Sequence, residues 1–252
     1  MDRFPLYIFD LDGTLLRGSE PLPGAVDTVA ALRAGDSRIR FVTNNSTRSR
    51  AAHADKLAAM GFAAHADEVY GSAVAAGQYL RGQVSRACVV GEDGLVAALA
   101  DAGIRLDDTD PEVVVVGLCR TYDYAMMTRA LSHLLKPHVR FVATNRDATF
   151  PLEGGRLAPG AGAIVASLVT CAGREPELVG KPEPFLIEWI LRDAAIASSD
   201  ALVVGDRVDT DIVAGQRAGC PVHLVLTGVT ETPPAGISWS ADLTGVLART
   251  RT

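Results

Sequence analysis

With 252 residues the chain has room for one large domain or two smaller ones, and 48% hydrophobic against 21% charged residues is the balance of an ordinary globular protein. A net charge of −6 argues against a nucleic-acid surface, and no apolar run approaches the ~20 residues that span a bilayer. No basic segment precedes a long apolar one at the start of the sequence, which leaves a cytoplasmic setting as the expectation.

The first element is an apolar run over 6–9 that reads as a short buried strand and ends on Asp10-Leu11-Asp12-Gly13. Side chains alternate along a strand, so Asp10 and Asp12 point the same way while the chain stays extended, and their repulsion must be offset. A hard cation does this through oxygen ligands, and magnesium sites combine one or two carboxylates with substrate phosphate. A carboxylate can also act as a nucleophile and carry a phosphoryl group. The plainer alternative, an Asp-Gly turn, explains Asp12-Gly13 but not Asp10.

Pro23-Gly24 leads into a helix over 25–33 with a stripe of Val26, Val29, Ala30 and Leu32. A strand over 39–42 runs into Thr43-Asn44-Asn45-Ser46-Thr47, followed by a helix over 49–60 closed by Gly61 and a short strand over 69–71. This βαβα order implies a parallel sheet, and such sheets bind ligands at the carboxyl ends of their strands, where Asp10 and Thr43 fall. The middle third begins the alternation again, with strands over 87–91, 112–117 and 139–143 and helices over 95–102, 124–135 and 163–170. It reads as a smaller α/β domain inserted at 81–175, with 1–80 and 176–252 forming the main one. His133 and His138 read as surface residues of the insert. The four cysteines, Cys88, Cys119, Cys171 and Cys220, form no CxxC pair and read as small buried hydrophobes in a reducing compartment.

In the last third, Val179-Gly180-Lys181-Pro182 precedes a helix over 185–195, and an apolar strand over 201–204 ends on Gly205-Asp206-Arg207-Val208-Asp209-Thr210-Asp211. Helix 212–218 and strand 222–226 follow. Acidic residues favour a helix N-terminus, which accounts for Asp209 but leaves Asp206, at the strand tip, needing another reason. Arg207 fits either an ion pair or a substrate contact, and Lys181 taken alone would be an ordinary solvated lysine.

Taken together, Asp10-Leu11-Asp12-Gly13-Thr14, the threonine ending the second strand, Lys181 before a helix and Gly205-Asp206-Arg207-x-Asp-Thr-Asp resemble the four motifs of the haloacid dehalogenase-like phosphohydrolases, in order and spacing. The insert between Thr43 and Lys181 is similar to a C2-type cap. Phe141-Val142-Ala143-Thr144-Asn145-Arg146-Asp147, Val179-Gly180-Lys181-Pro182 and Leu226-Thr227-Gly228-Val229 resemble the NagD and p-nitrophenylphosphatase-like branch.

The resemblance implies a Rossmann-like α/β core with a smaller α/β cap, and a magnesium-dependent phosphatase acting on small phosphate monoesters through an aspartyl-phosphate. It implies Asp10 as nucleophile and Asp12 as general acid/base. Mg²⁺ would be held by Asp10, the Asp12 carbonyl and Asp206, with Asp211 in support. Thr43, Asn44 and Lys181 would hold the phosphate; a strand end before a helix suits the first two, and a lysine supplies a point charge. The loop over 145–152 would reach the leaving group through Phe150, for which plain cap packing is the alternative. Relatives that prefer pyridoxal phosphate carry a histidine near this position, where this chain has Thr149-Phe150. A phosphomutase or phosphotransferase using the same aspartyl-phosphate, and a non-catalytic phosphate-binding protein, are the competing functions. Neither nucleic acid nor membrane is an expected partner, and a homodimer through the cap is one assembly open to the chain.

Overall fold

The computed structural model describes residues 3–151 and 156–249. The chain divides into two compact units, Met1–Thr43, Arg50–Tyr70 and Lys181–Thr252 in the first, and Asn44–Ser49 with Gly71–Gly180 in the second. Each is an α/β body around a largely parallel sheet. Among the described residues no helix is long and apolar enough to cross a membrane.

In the first unit Leu6–Asp10 is an inner strand, wholly buried, pairing in parallel with Arg38–Thr43 on one side and Ala201–Gly205 on the other. A strand covered on both faces reads as an unbroken apolar run, and this is the physical reason for the Leu-Tyr-Ile-Phe sequence. From Leu6–Asp10 the chain builds outward through Arg38–Thr43 and Val69–Gly71, then returns to build the other side through Ala201–Gly205, Val222–Val225 and Trp239–Ser240. The order reverses beside Leu6–Asp10, so a crevice opens at the carboxyl ends of the strands on either side of it. Asp10, Thr43 and Asp206 all stand at those ends.

The last strand, Trp239–Ser240, is tied to its neighbour through a buried histidine. His223 Nδ1 meets Ser238 Oγ and Nε2 meets Ser240 Oγ, each at 2.8 Å. Ser240 spends its own proton on the Asp242 carbonyl at 2.6 Å, so Nε2 carries the ring proton and Nδ1 accepts from Ser238. Burial, aided by the charge of Arg249, pushes the His223 pKa down from 6.5 to about 4, so the ring is neutral at pH 7. A folded-state value below the unfolded one means that this contribution to stability is full above pH 6.5 and is lost as pH falls through about 4. The Tm of a His223→Gln variant is therefore expected to fall less than that of the parent between pH 7 and pH 4.5. An identical pH dependence of Tm in the two proteins would contradict this.

The second unit holds a five-stranded sheet with Val113–Val116 and its parallel neighbours Arg86–Val90 and Arg140–Ala143 at the centre. Its bounds differ from the expected insert. Helix Ser72–Leu80 belongs to it, because Ala73, Ala76 and Leu80 share one apolar cluster with Leu95, Ala98, Leu99 and Ala102. Strand Glu177–Leu178 also joins this sheet, pairing with Val142 and Ala143.

Two smaller expectations are corrected. His133 is buried rather than on the surface, its Nε2 meeting the Asp108 carbonyl at 3.0 Å, because it falls on the inner face of helix Tyr124–Leu134; His138, just beyond, is exposed. Three cysteines are buried, but Cys171, on the last turn of helix Ala161–Ala172, is exposed.

Candidate active site

Four charged side chains from four segments of the first unit converge. Lys181 Nζ donates to Asp10 Oδ1 at 2.5 Å and to Asp211 Oδ1 at 2.6 Å. Carboxylate oxygens of Asp10, Asp206 and Asp211 lie within 4.8 Å of one another, and all three residues are buried. Local sequence puts each there. Asp10 ends a buried strand, and Asp206 follows the strand Ala201–Gly205. Asp211 lies in the turn Val208–Ile212, where its Oδ2 accepts from the Arg207 N–H at 3.0 Å. Lys181 is the first residue of the chain's return to the first unit.

Three carboxylates against one ammonium leave a formal charge of −2 in a buried site. Burial raises the Asp10 pKa well above the ordinary carboxylate value; Lys181 opposes this, while Asp211 and Asp206 add to it. Burial and Asp211 likewise raise Asp206 to about 6, against the hydrogen bond it accepts from Val229 N. Burial alone would lower the Lys181 pKa, but Asp10 and Asp211 outweigh it and hold the ammonium above its usual range. The surplus negative charge and the all-oxygen donor set fit a hard divalent cation such as Mg²⁺, which would offset the repulsion that adds to the effect of burial on both carboxylates.

The remaining expected residues are placed as follows. Asp12 is half-buried, two residues past Asp10, and its carboxylate is not one of the three that cluster. Thr43 closes the neighbouring strand and is 2% exposed; Asn44, the next residue, is 8% exposed. Arg207 pairs with Asp209 at 3.0 Å, the ion-pair alternative. Phe150 is half-buried in the two-stranded hairpin Thr149–Pro151/Leu157–Pro159 of the second unit. There it lines an apolar hollow of about 470 Å³ with Leu118, Tyr122, Pro159 and Ile164. Leu152, at the end of the expected loop, lies outside the described residues.

Sequence reasoning gave no role to Thr14, Gly228 or Val229, all of which serve Asp206. Thr14 Oγ1 donates to Asp206 Oδ1 at 3.2 Å and Val229 N to Oδ2 at 2.8 Å. A Cβ on Gly228 would stand 1.9 Å from Asp206 Oδ2. The signal was present in the runs Asp-Gly-Thr and Thr-Gly-Val, but their shared partner is nearly two hundred residues from one of them. Because Asp206 is wholly buried and cannot swing aside, Gly228→Ala is expected to raise the Mg²⁺ concentration for half-maximal activity roughly tenfold or more, as buried overpacking costs about 1–3 kcal/mol. An unchanged magnesium titration would show that the carboxylate tolerates the displacement.

Known proteins resemble this chain over most of its length. The family model described as haloacid dehalogenase-like hydrolase matches residues 7–105, and a second HAD-like hydrolase model matches 178–244. The chain is 35% identical over 252 residues to glycerol-3-phosphate phosphatase of Homo sapiens, covering 88% of this chain and 78% of that protein. The solved structure of p-nitrophenyl phosphatase from Archaeoglobus fulgidus superimposes with a TM-score of 0.90 at 33% identity, over 98% of this chain and 100% of that one. The magnesium complex of glycerol phosphate phosphatase from Mycobacterium tuberculosis gives 0.89 at 35% identity, over 98% and 78% of the two chains.

Proposed function

The chain belongs to the haloacid dehalogenase-like hydrolases, in the branch of NagD and the p-nitrophenylphosphatases, and from that premise we propose how its own residues carry out phosphate monoester hydrolysis. The protein is a magnesium-dependent phosphoric monoester hydrolase acting on small-molecule esters. The single observation that carries the residue assignment is the buried cluster of Asp10, Asp206 and Asp211 around Lys181, at the reversal point of a parallel sheet.

In this reading Asp10 attacks phosphorus and becomes the aspartyl-phosphate, while Asp12 protonates the departing alcohol and then takes a proton from the water that releases phosphate. Asp10, Asp206 and the Asp12 backbone carbonyl would hold Mg²⁺, with Asp211 in support. The bound ion offsets the negative charge of nucleophile and phosphate. Lys181 keeps Asp10 oriented, opposes the effect of burial on its carboxyl and presents its charge to the phosphate. Thr43 and Asn44 donate to the phosphate oxygens from the tip of the adjoining strand.

The second unit is proposed as the cap, with Phe150 selecting among leaving groups. Apolar lining suits an organic group and offers little to a bare phosphate. A panel of phosphate monoesters assayed with Mg²⁺ tests the whole reading, since no turnover of any member would refute it. Within that panel, Phe150→Ala is expected to raise KM several-fold for bulky esters and to leave the smallest nearly unchanged. An equal loss of kcat/KM across the series would instead assign Phe150 to packing.

A further inference from the structure

Asn44 is the residue on which the chain leaves the first unit, directly after Thr43, and its backbone is held by side chains remote in sequence. The Asn44 carbonyl accepts from Ser72 Oγ at 2.6 Å and from Asn145 Nδ2 at 2.7 Å. Its side-chain amide donates to Asp147 Oδ1 at 3.2 Å. Chemistry fixes the orientation of the Asn145 amide. The Asp147 N–H can only donate and meets Asn145 Oδ1 at 3.1 Å, so the amino group is the one that faces Asn44.

Ser72 and Asn145 are 0% and 4% exposed, so little water can replace these bonds. Gly180 closes the knot from the other side. A Cβ there would lie 2.2 Å from the Thr144 carbonyl oxygen and 2.7 Å from Asn44 Oδ1, which no larger residue can meet. The chain also changes unit between Tyr70 and Gly71 and between Gly180 and Lys181. One polar knot inside the second unit therefore gathers three of the chain's passages, and two of those passages lie next to Thr43 and Lys181.

We infer that Asn145 and Ser72 are positioning residues for the phosphate cradle. By both donating to the Asn44 carbonyl they fix the peptide between Asn44 and Asn45, and with the Asn44 side chain tied to Asp147 this anchors the far end of the segment from which Thr43 and Asn44 face the phosphate. Neither side chain needs to touch substrate. Rotating the Asn44 peptide would strand two buried donors at once, so the loop keeps one conformation whether or not phosphate is present. A fixed array of donors stabilises a phosphoryl group without reorganising during reaction. This inference rests on Thr43 and Asn44 being the phosphate donors proposed above.

The test uses the full chain with saturating Mg²⁺. Asn145→Asp keeps the size and the acceptor for Asp147 N–H but removes the donor to Asn44. The expected result is a fall in kcat/KM by one factor for small and large esters alike, with a rise in the inhibition constant of inorganic phosphate by a similar factor. That factor is roughly tenfold to a hundredfold, the scale of one lost buried hydrogen bond. The magnesium titration stays where it was, because the cation's ligands lie in the first unit. Ser72→Ala shows the same pattern more weakly, and Ser72→Thr, which keeps the hydroxyl, restores phosphate affinity.

An Asn145→Asp protein with a lowered Tm but unchanged phosphate inhibition would overturn the inference. Should that variant not fold, equal phosphate inhibition in Ser72→Ala and the parent overturns it as well. Thr43→Val separates the two layers. If it weakens phosphate binding while the Asn145 and Ser72 variants do not, the clamp alone is wrong; if it too has no effect, the cradle assignment falls and the clamp with it.

Discussion

Asp10→Asn is expected to leave no measurable magnesium-dependent hydrolysis of p-nitrophenyl phosphate, a loss on the order of 10⁴-fold or more, the scale on which removal of a nucleophile falls. The amide keeps the shape of the carboxylate but cannot attack phosphorus, and it exchanges a charged oxygen ligand for a neutral one. Lys181 would keep Asp211 as a partner at 2.6 Å, so the site should not collapse, and the Tm is expected to stay near that of the parent. Near-normal turnover in a sequence-verified Asp10→Asn protein would sink the mechanism.

Asp12→Asn separates a second role from the first. General acid–base groups contribute ~10²- to 10⁴-fold, and turnover at saturating Mg²⁺ is expected to fall within that range. Magnesium affinity should be unchanged, because the Asp12 carboxylate stands outside the cluster of three and the ligand proposed there is a backbone oxygen. Esters with good leaving groups should lose less in the first step than alkyl esters, whose alcohols need the proton. Weakened magnesium binding with intact saturated turnover would transfer Asp12 to the metal and leave the acid unidentified.

The parts of the fold that could be read in advance are those where one strong local pattern coincides with burial. Val113–Val116, Ala201–Gly205 and Leu6–Asp10 up to its final aspartate are apolar because both faces are covered, and each announces itself without a partner. The two-residue pairs Leu16–Arg17 with Glu20–Pro21, and Arg105–Leu106 beside Arg86–Ala87, were not legible, since segments so short have no period to detect. Strand Glu177–Leu178 and helix Ser72–Leu80 were not read from the sequence either, nor was the body they join. That depends on partners such as Ala143 and Leu99, chosen by packing rather than by local propensity.

The site divides in the same way. Asp10, Asp12 and Asp206 stood out because charge at or just past the end of an apolar strand calls for an explanation, whereas Lys181 taken alone read as an ordinary solvated lysine and gained a role only through the family resemblance. Thr14 and Gly228 did not stand out, because their purpose appears only once Asp206 is seen against them. Asn145 was visible as part of a motif, but its amide could not be assigned to the Asn44 carbonyl before the two were brought together.

The assignment of residues 44–49 to the second unit has a consequence for recombination between relatives. A chimera that grafts a foreign segment over 71–180 alone onto this chain, the longer of the two stretches of the second unit, would keep the native Asn44 but import a stranger's Ser72, Asn145 and Gly180. Its parentage would then be split within a single peptide's hydrogen bonds. Grafts that carry 44–49 along with 71–180 keep that ancestry whole, and specificity transplanted in this way should arrive with its turnover intact. Natural exchange of such inserts faces the same restriction, so heritable change of substrate in this fold should proceed more readily by substitution within the insert than by replacing it.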